Sequence, residues 1–222
     1  MFIGHFAVAF AAKRAAPEVS LGTLFLAAQL ADLVWPTLVL LQVEHFEIRP
    51  GITAVTPLDF TRYPYSHSLV GMAAWGAFFA AWYFAVRRKA SMAAILFAVV
   101  LSHWLLDFVS HRPDLPLTLT GAERFGLGLW HSRVATLAVE GLLFAACVGV
   151  YARVTRPADR TGRWSLIALV AFLVVVYVAN IFGPPPPSVA AVAWSAQAIW
   201  LLVAWGYWID RHRTAGADSS RN

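Results

Sequence analysis

The chain predicts an all-α, polytopic integral membrane protein: six transmembrane helices preceded by a short N-terminal helix that is re-entrant or half-buried. Three observations carry that prediction. Hydrophobic residues make up 59% of the 222 positions and charged residues 13%, too few to wet the surface of a soluble domain. Apolar runs recur at about the 20-residue length that crosses roughly 30 Å of hydrocarbon. Basic residues gather in alternate connections, as the positive-inside rule expects of a multi-pass chain.

The first apolar run, residues 1–12, would rise only about 18 Å as a helix, hence the re-entrant or half-buried reading. Lys13 and Arg14 follow that run, whereas a secretory signal has its basic stretch in front, so the segment is expected to stay in the mature protein. The six expected spans are 21–43, 68–86, 91–110, 134–151, 164–182 and 188–209. Lys13-Arg14, Arg87-Arg88-Lys89, the arginines of 153–163 and Arg211/Arg213 alternate with the less basic connections 44–67 and GPPPPS (183–188), while 110–134 departs in part with Arg112, Arg124 and Arg133. This pattern predicts cytoplasmic N- and C-termini. Residues 1–214 read as one helical domain and 215–222 as a disordered tail.

Trp130 and Trp164, near expected helix ends, suit the interfacial belt. The net charge of +5 is a topology signal: no basic stripe is interleaved with aromatics, so no nucleic-acid partner is expected. The absence of an internal repeat counts against a transporter built from related halves. Cys147 is the only cysteine, so a metal ion would have to rest on histidine and carboxylate.

Ionisable groups inside the apolar runs mark where function is expected. A charge at bilayer depth costs about 2.5–3.5 kcal/mol even on lenient insertion scales, and persists where it pairs, lines water or holds an ion. In LSHWLLDFVSHRPDLP (101–116), His103 and Asp107 stand four residues apart on one helical face, with Trp104, Leu105 and Phe108 covering the others. His111 continues the spacing but falls past the expected helix end, where a loop role competes. In the first span Gln29, Asp32 and Pro36 share one side at i, i+3, i+7, which turns Asp32 inward. His67, in YSHSLV, stands at the outer mouth of the second span, with Ser66 or Ser68 as its N-cap.

Counted from the expected outer ends at about 1.5 Å per residue, Asp32, His103, Asp107 and Glu140 all fall in the outer half of the membrane. The same count puts His5 near mid-membrane and His67 about 15 Å higher. One ion touching both then needs a strongly tilted helix, a loop folded into the cavity, or a second ion. Neutral imidazole plus carboxylate without thiolate is the ligand set of a catalytic Zn²⁺ or of a Mn²⁺ or Fe²⁺ ion. Glu140 reads equally as general base, ligand or helix–helix hydrogen-bonding group, and Asp107 as ligand or as the carboxylate orienting an imidazole. Arg112 and Arg133, at the outer mouth, are candidates for a phosphate group.

GHFAVAFAAK, AQLADLVWP, YSHSLVG and LSHWLLDFVSHRPDLP together resemble the bacterial inner-membrane family of predicted membrane-bound metal-dependent hydrolases, from residue 1 to about 145. That family shows, in this order, an N-terminal His, a Leu-Pro-Asp-x-Asp type motif, a Thr-His-Ser motif and a Ser-His-x-x-x-Asp motif. The resemblance implies a metal ion at His5, Asp32, His67, His103 and Asp107, zinc first, with manganese or iron as alternatives. A more distant similarity of the family to zinc-dependent phospholipase C implies a lipid-linked or membrane-proximal ester or phosphoester as substrate. ADLVWP keeps one aspartate where the family usually has two, and Asp59 and Asp114 lie off the matching position.

The function expected is therefore a membrane-embedded metal-dependent hydrolase open to the outer side, with Glu140 and Asp107 as its catalytic candidates. The alternative is a transporter or permease that passes protons or a metal ion through the same His/Asp cluster. A third reading is a scaffold in which the cluster is structural.

Overall fold

A computed structural model describes residues 1–215, and the statements below concern those residues. The opening run folds as α1 (Ile3–Ala15), 13 residues and therefore about 20 Å long, too short to span. It is not a surface segment: Ile3, His5, Phe6, Ala9 and Phe10 are buried, and it packs against the helices that carry Glu140 and His103. The expected first span is broken. α2 (Leu21–Ala28) and α3 (Leu30–Leu40) meet at Gln29 with a bend of 54°. Pro36 lies inside α3 and is not where the chain turns.

β1 (His45–Ile48) and β2 (Leu58–Arg62) form an antiparallel hairpin, followed by the single turn α4 (Pro64–His67) and then α5 (Leu69–Arg87). α6 (Ala90–Ser110) leads into a second small hairpin, β3 (Leu115–Pro116) with β4 (Arg124–Phe125). α7 (Arg133–Val154), β5 (Thr155–Pro157), α8 (Arg160–Phe182), α9 (Val189–Ala196), α10 (Ile199–Arg211) and β6 (Arg213–Ala215) complete the described chain.

Five helical stretches are long and apolar enough to cross a membrane: α5, α6, α7, α8 and the α9–α10 stretch Val189–Arg211. Counting the bent α2–α3 pair as one span raises the number to six, so the expected six is reached only with that broken pair and is otherwise five. Phe78, Leu142, Val175 and Leu201 are among the large apolar side chains left exposed on these helices, as suits a lipid-facing surface. The tail expected over 215–222 lies outside the described residues except for Ala215, which pairs with Thr155.

Serine and aspartate start several helices by accepting orphan backbone N–H groups: Ser68 from Gly71 (2.9 Å), Ser132 from Ala135 (3.2 Å) and Asp159 from Gly162 (2.8 Å). The basic connections meet at one end of the bundle. There Lys13 pairs with Asp210, Lys89 with Glu18, and β5 with β6. The β1–β2 and β3–β4 hairpins meet at the opposite end, where Arg112 pairs with Asp59 and Arg124 donates to the Thr61 carbonyl. His103 and Asp107, in the last two turns of α6, lie toward that second end.

Candidate metal centre

Five side chains from four elements converge on one site. His5 comes from the first turn of α1, Asp32 from the first turn of α3, His67 from the end of α4, and His103 and Asp107 from successive turns of α6. Asp107 Oδ1 lies 3.1 Å from His5 Nε2, and Oδ2 lies 3.2 Å from His103 Nε2 and 4.0 Å from His67 Nε2. Asp32 closes the group, with Oδ1 at 3.4 Å from His67 Nε2 and Oδ2 at 3.8 Å from His103 Nε2. Two overlapping sets, His5–His103–Asp107 and Asp32–His67–His103, have ligand atoms close enough to share one ion each. The side chain of Asp32 is 28% exposed and those of the other four are nearly closed off, so the site opens at Asp32.

The depth count that separated His5 from His67 fails for an identifiable reason. It took Lys13 to lie at a solvated face, whereas Lys13 is buried and held by Asp210 and the Val19 carbonyl. At the other end, α4 folds back tightly onto α5: a Cβ on Gly71 would stand 2.7 Å from the Tyr65 carbonyl oxygen. Both imidazoles thereby reach His103, with ring centroids 3.5 Å away for His5 and 5.4 Å for His67.

Hydrogen bonds behind the rings assign their tautomers. His103 Nδ1 is 2.8 Å from the Ala28 carbonyl, which only accepts, so Nδ1 carries a proton and Nε2 is the ring atom turned toward the carboxylates. The break between α2 and α3 is what frees that carbonyl. Ser66 Oγ donates to Glu44 Oε2 (2.5 Å) and therefore accepts from His67 Nδ1 (2.7 Å), leaving His67 Nε2 as a lone pair. Glu44, wholly buried, also accepts from the N–H groups of Tyr65 and Ser66.

His111 is not a solvated loop residue. It is buried at the end of α6 with Nδ1 3.0 Å from Asp114 Oδ1, so its Nε2 also faces inward, 3.8 Å from Asp107 Oδ1. Tyr63 donates to Asp114 as well; burial, followed by the charge of Asp114, pushes its hydroxyl well above the usual tyrosine range, which keeps it a donor. Glu140 is buried too, but its Oε2 accepts from the N–H groups of Phe2 (3.0 Å) and Gly4 (3.4 Å), where it holds the start of α1.

Arg112 is committed to Asp59 and Asp114. Arg133 lines a separate cavity of about 600 Å³ with Gly51, Thr53 and His131, which contains none of the five converging residues. Glu44 and Tyr63 stand outside every motif of the sequence, because each acts through contacts distant along the chain, whereas Asp114, an acid off the family's matching position, holds His111 three residues before it. The Ser66-His67 pair in YSHS was the one local sign of an imidazole with a hydroxyl behind it.

A divalent ion fits this donor set. His103 Nε2 is buried with no hydrogen-bond partner, although two carboxylates face it. A ring nitrogen that makes no hydrogen bond, with carboxylate oxygens facing it, is a position a cation can fill, and the nitrogen and oxygen donors without thiolate suit zinc, manganese or iron. Comparison with known proteins finds no matching family model, no matching curated protein and no matching solved structure.

Proposed function

We propose that this chain is a membrane-embedded metal-dependent hydrolase acting on an ester or phosphoester of a lipid or lipid-linked molecule. One observation carries the reading: imidazoles held from behind at Nδ1 turn Nε2 toward two buried or half-buried carboxylates. Hydrogen bonds from ring N–H to carbonyl, hydroxyl or carboxylate are the usual outer shell of a metal site. A bound zinc, manganese or iron ion supplies Lewis acidity toward a substrate oxygen and acidifies a water molecule.

The protein's own residues divide the remaining work. His67, His103, Asp32 and Asp107 hold the ion, and Glu44 with Ser66 and the Ala28 carbonyl aim the rings. Asp32, at the opening, lies where a substrate entering from the outer half of the membrane arrives. Glu140 serves by holding α1, and through it His5. The orientation with the hairpin end outward, in a bacterial inner membrane, belongs to the same proposal and rests on the gathering of basic connections at the other end.

The test is turnover of phospholipid by purified protein in vesicles of phosphatidylethanolamine and phosphatidylglycerol. Hydrolysis is expected to stop on chelation, to return with Zn²⁺ or Mn²⁺, and to be absent in His103→Ala. Proton or metal flux across the vesicles with no product formed would replace the hydrolase by the transport reading.

A further inference from the structure

The two candidate sets of ligands share one atom they cannot share. His103 Nε2 belongs to both, yet a neutral imidazole offers a single lone pair and serves one ion. Asp107 removes the conflict, because its two oxygens face different partners. Oδ2 faces His103 and His67, whereas Oδ1 faces His5 Nε2 at 3.1 Å and His111 Nε2 at 3.8 Å.

The rings behind these atoms are arranged for two positions side by side. His5 and His103 are stacked 3.5 Å apart with planes 1° from parallel, and each directs Nε2 at its own oxygen of one carboxylate. Two-metal sites hold their ions about 3.5–4 Å apart, the spacing such a stack and a bridging carboxylate produce. His111 is aimed like a ligand, since Asp114 accepts from its Nδ1 and Phe60, Tyr63 and Trp130 pack around the ring. A cationic group also stands at the same spot: the amino group of Met1 is 2.5 Å from Asp107 Oδ1 and 3.1 Å from both His5 Nε2 and Ser110 Oγ.

The geometry points to a second divalent-cation site formed by His5, His111 and Asp107 Oδ1, next to the one formed by Asp32, His67, His103 and Asp107 Oδ2, with Asp107 as the bridge. The inference rests on the metal-dependent reading above and deepens it. An ion bound there takes the place of the Met1 amino group at Asp107 Oδ1.

Purified full-length protein, stripped with chelator and reloaded with Mn²⁺ alone, is assayed for metal per chain and by electron paramagnetic resonance. Two equivalents with an exchange-coupled spectrum are expected. One equivalent with an isolated-ion spectrum overturns the second site and leaves the hydrolase reading standing; no retained metal ends both. His111→Ala is expected to bind one equivalent with loss of the coupling, and the retained ion shows that the variant is folded. Two coupled ions in His111→Ala would remove His111 from the site. Should that variant not fold, the wild-type count and coupling decide the matter alone.

Discussion

His5 and His103 stack face to face, with ring centroids 3.5 Å apart and planes 1° from parallel, although they come from helices at opposite ends of the site's sequence. Two imidazolium charges at that separation would repel by about 5 kcal/mol even at an effective dielectric constant near 20. The pair is therefore built to hold no more than one proton's charge. Neutral rings turned edge-on to Asp107 are the form in which histidine binds a metal ion.

The relay behind His67 is a separable part of this arrangement. Ser66→Ala removes the acceptor of His67 Nδ1–H while leaving Glu44 to accept from the Tyr65 and Ser66 backbone. Metal affinity is expected to fall about 10–100-fold, the usual cost of losing an outer-shell partner, with the helical fold kept. Competition with a chelating dye measures this, and an unchanged affinity would show that Ser66 has no such role.

Glu140 is tested by two substitutions rather than one. Glu140→Gln keeps an oxygen to accept from Phe2 and Gly4, and Glu140→Ala does not. If Glu140 positions α1, the glutamine variant keeps most of the activity and the alanine variant loses it. A general base would be lost in both.

Gly126 lets the second outer hairpin cover the end of α6. A Cβ there would stand 2.2 Å from the Arg112 carbonyl oxygen and 2.4 Å from that of His111. Gly126→Ala must push the loop away, at a cost of about 1–3 kcal/mol by analogy with overpacked cores, and with it the backbone that sets His111. A lowered thermal midpoint with weakened metal retention is expected; a wild-type melting curve would contradict the packing described.

A membrane-impermeant thiol label applied to whole cells should reach single cysteines introduced into the 49–57 turn and the 117–123 turn from outside. Positions among 87–89 and 156–160 should react only after lysis. The reverse pattern would invert the topology and with it the side from which Asp32 is approached.

Much of the helical framework was legible because apolar length and caps are local properties. The runs at 68–86 and 91–110 became Leu69–Arg87 and Ala90–Ser110, and Ser68 caps the former. The i, i+4 spacing of His103 and Asp107 likewise placed them on one face. That His5 and His67 both reach His103 was not legible, because a residue count measures depth only along straight helices anchored at the surface. Here Lys13 is an internal ion pair, the first span is bent at Gln29, and α4 folds back on α5. The hairpins hidden in 44–67 and 110–134, and the roles of Glu44 and Asp114, depend on partners that no local pattern names.

Anomalous diffraction from crystals grown with the native metal tests the central claim most directly. A peak bounded by Asp32, His67, His103 and Asp107 in the wild type, missing in His103→Ala, is the predicted result. No peak among those side chains, with His103 Nε2 donating instead to a carboxylate, would contradict it.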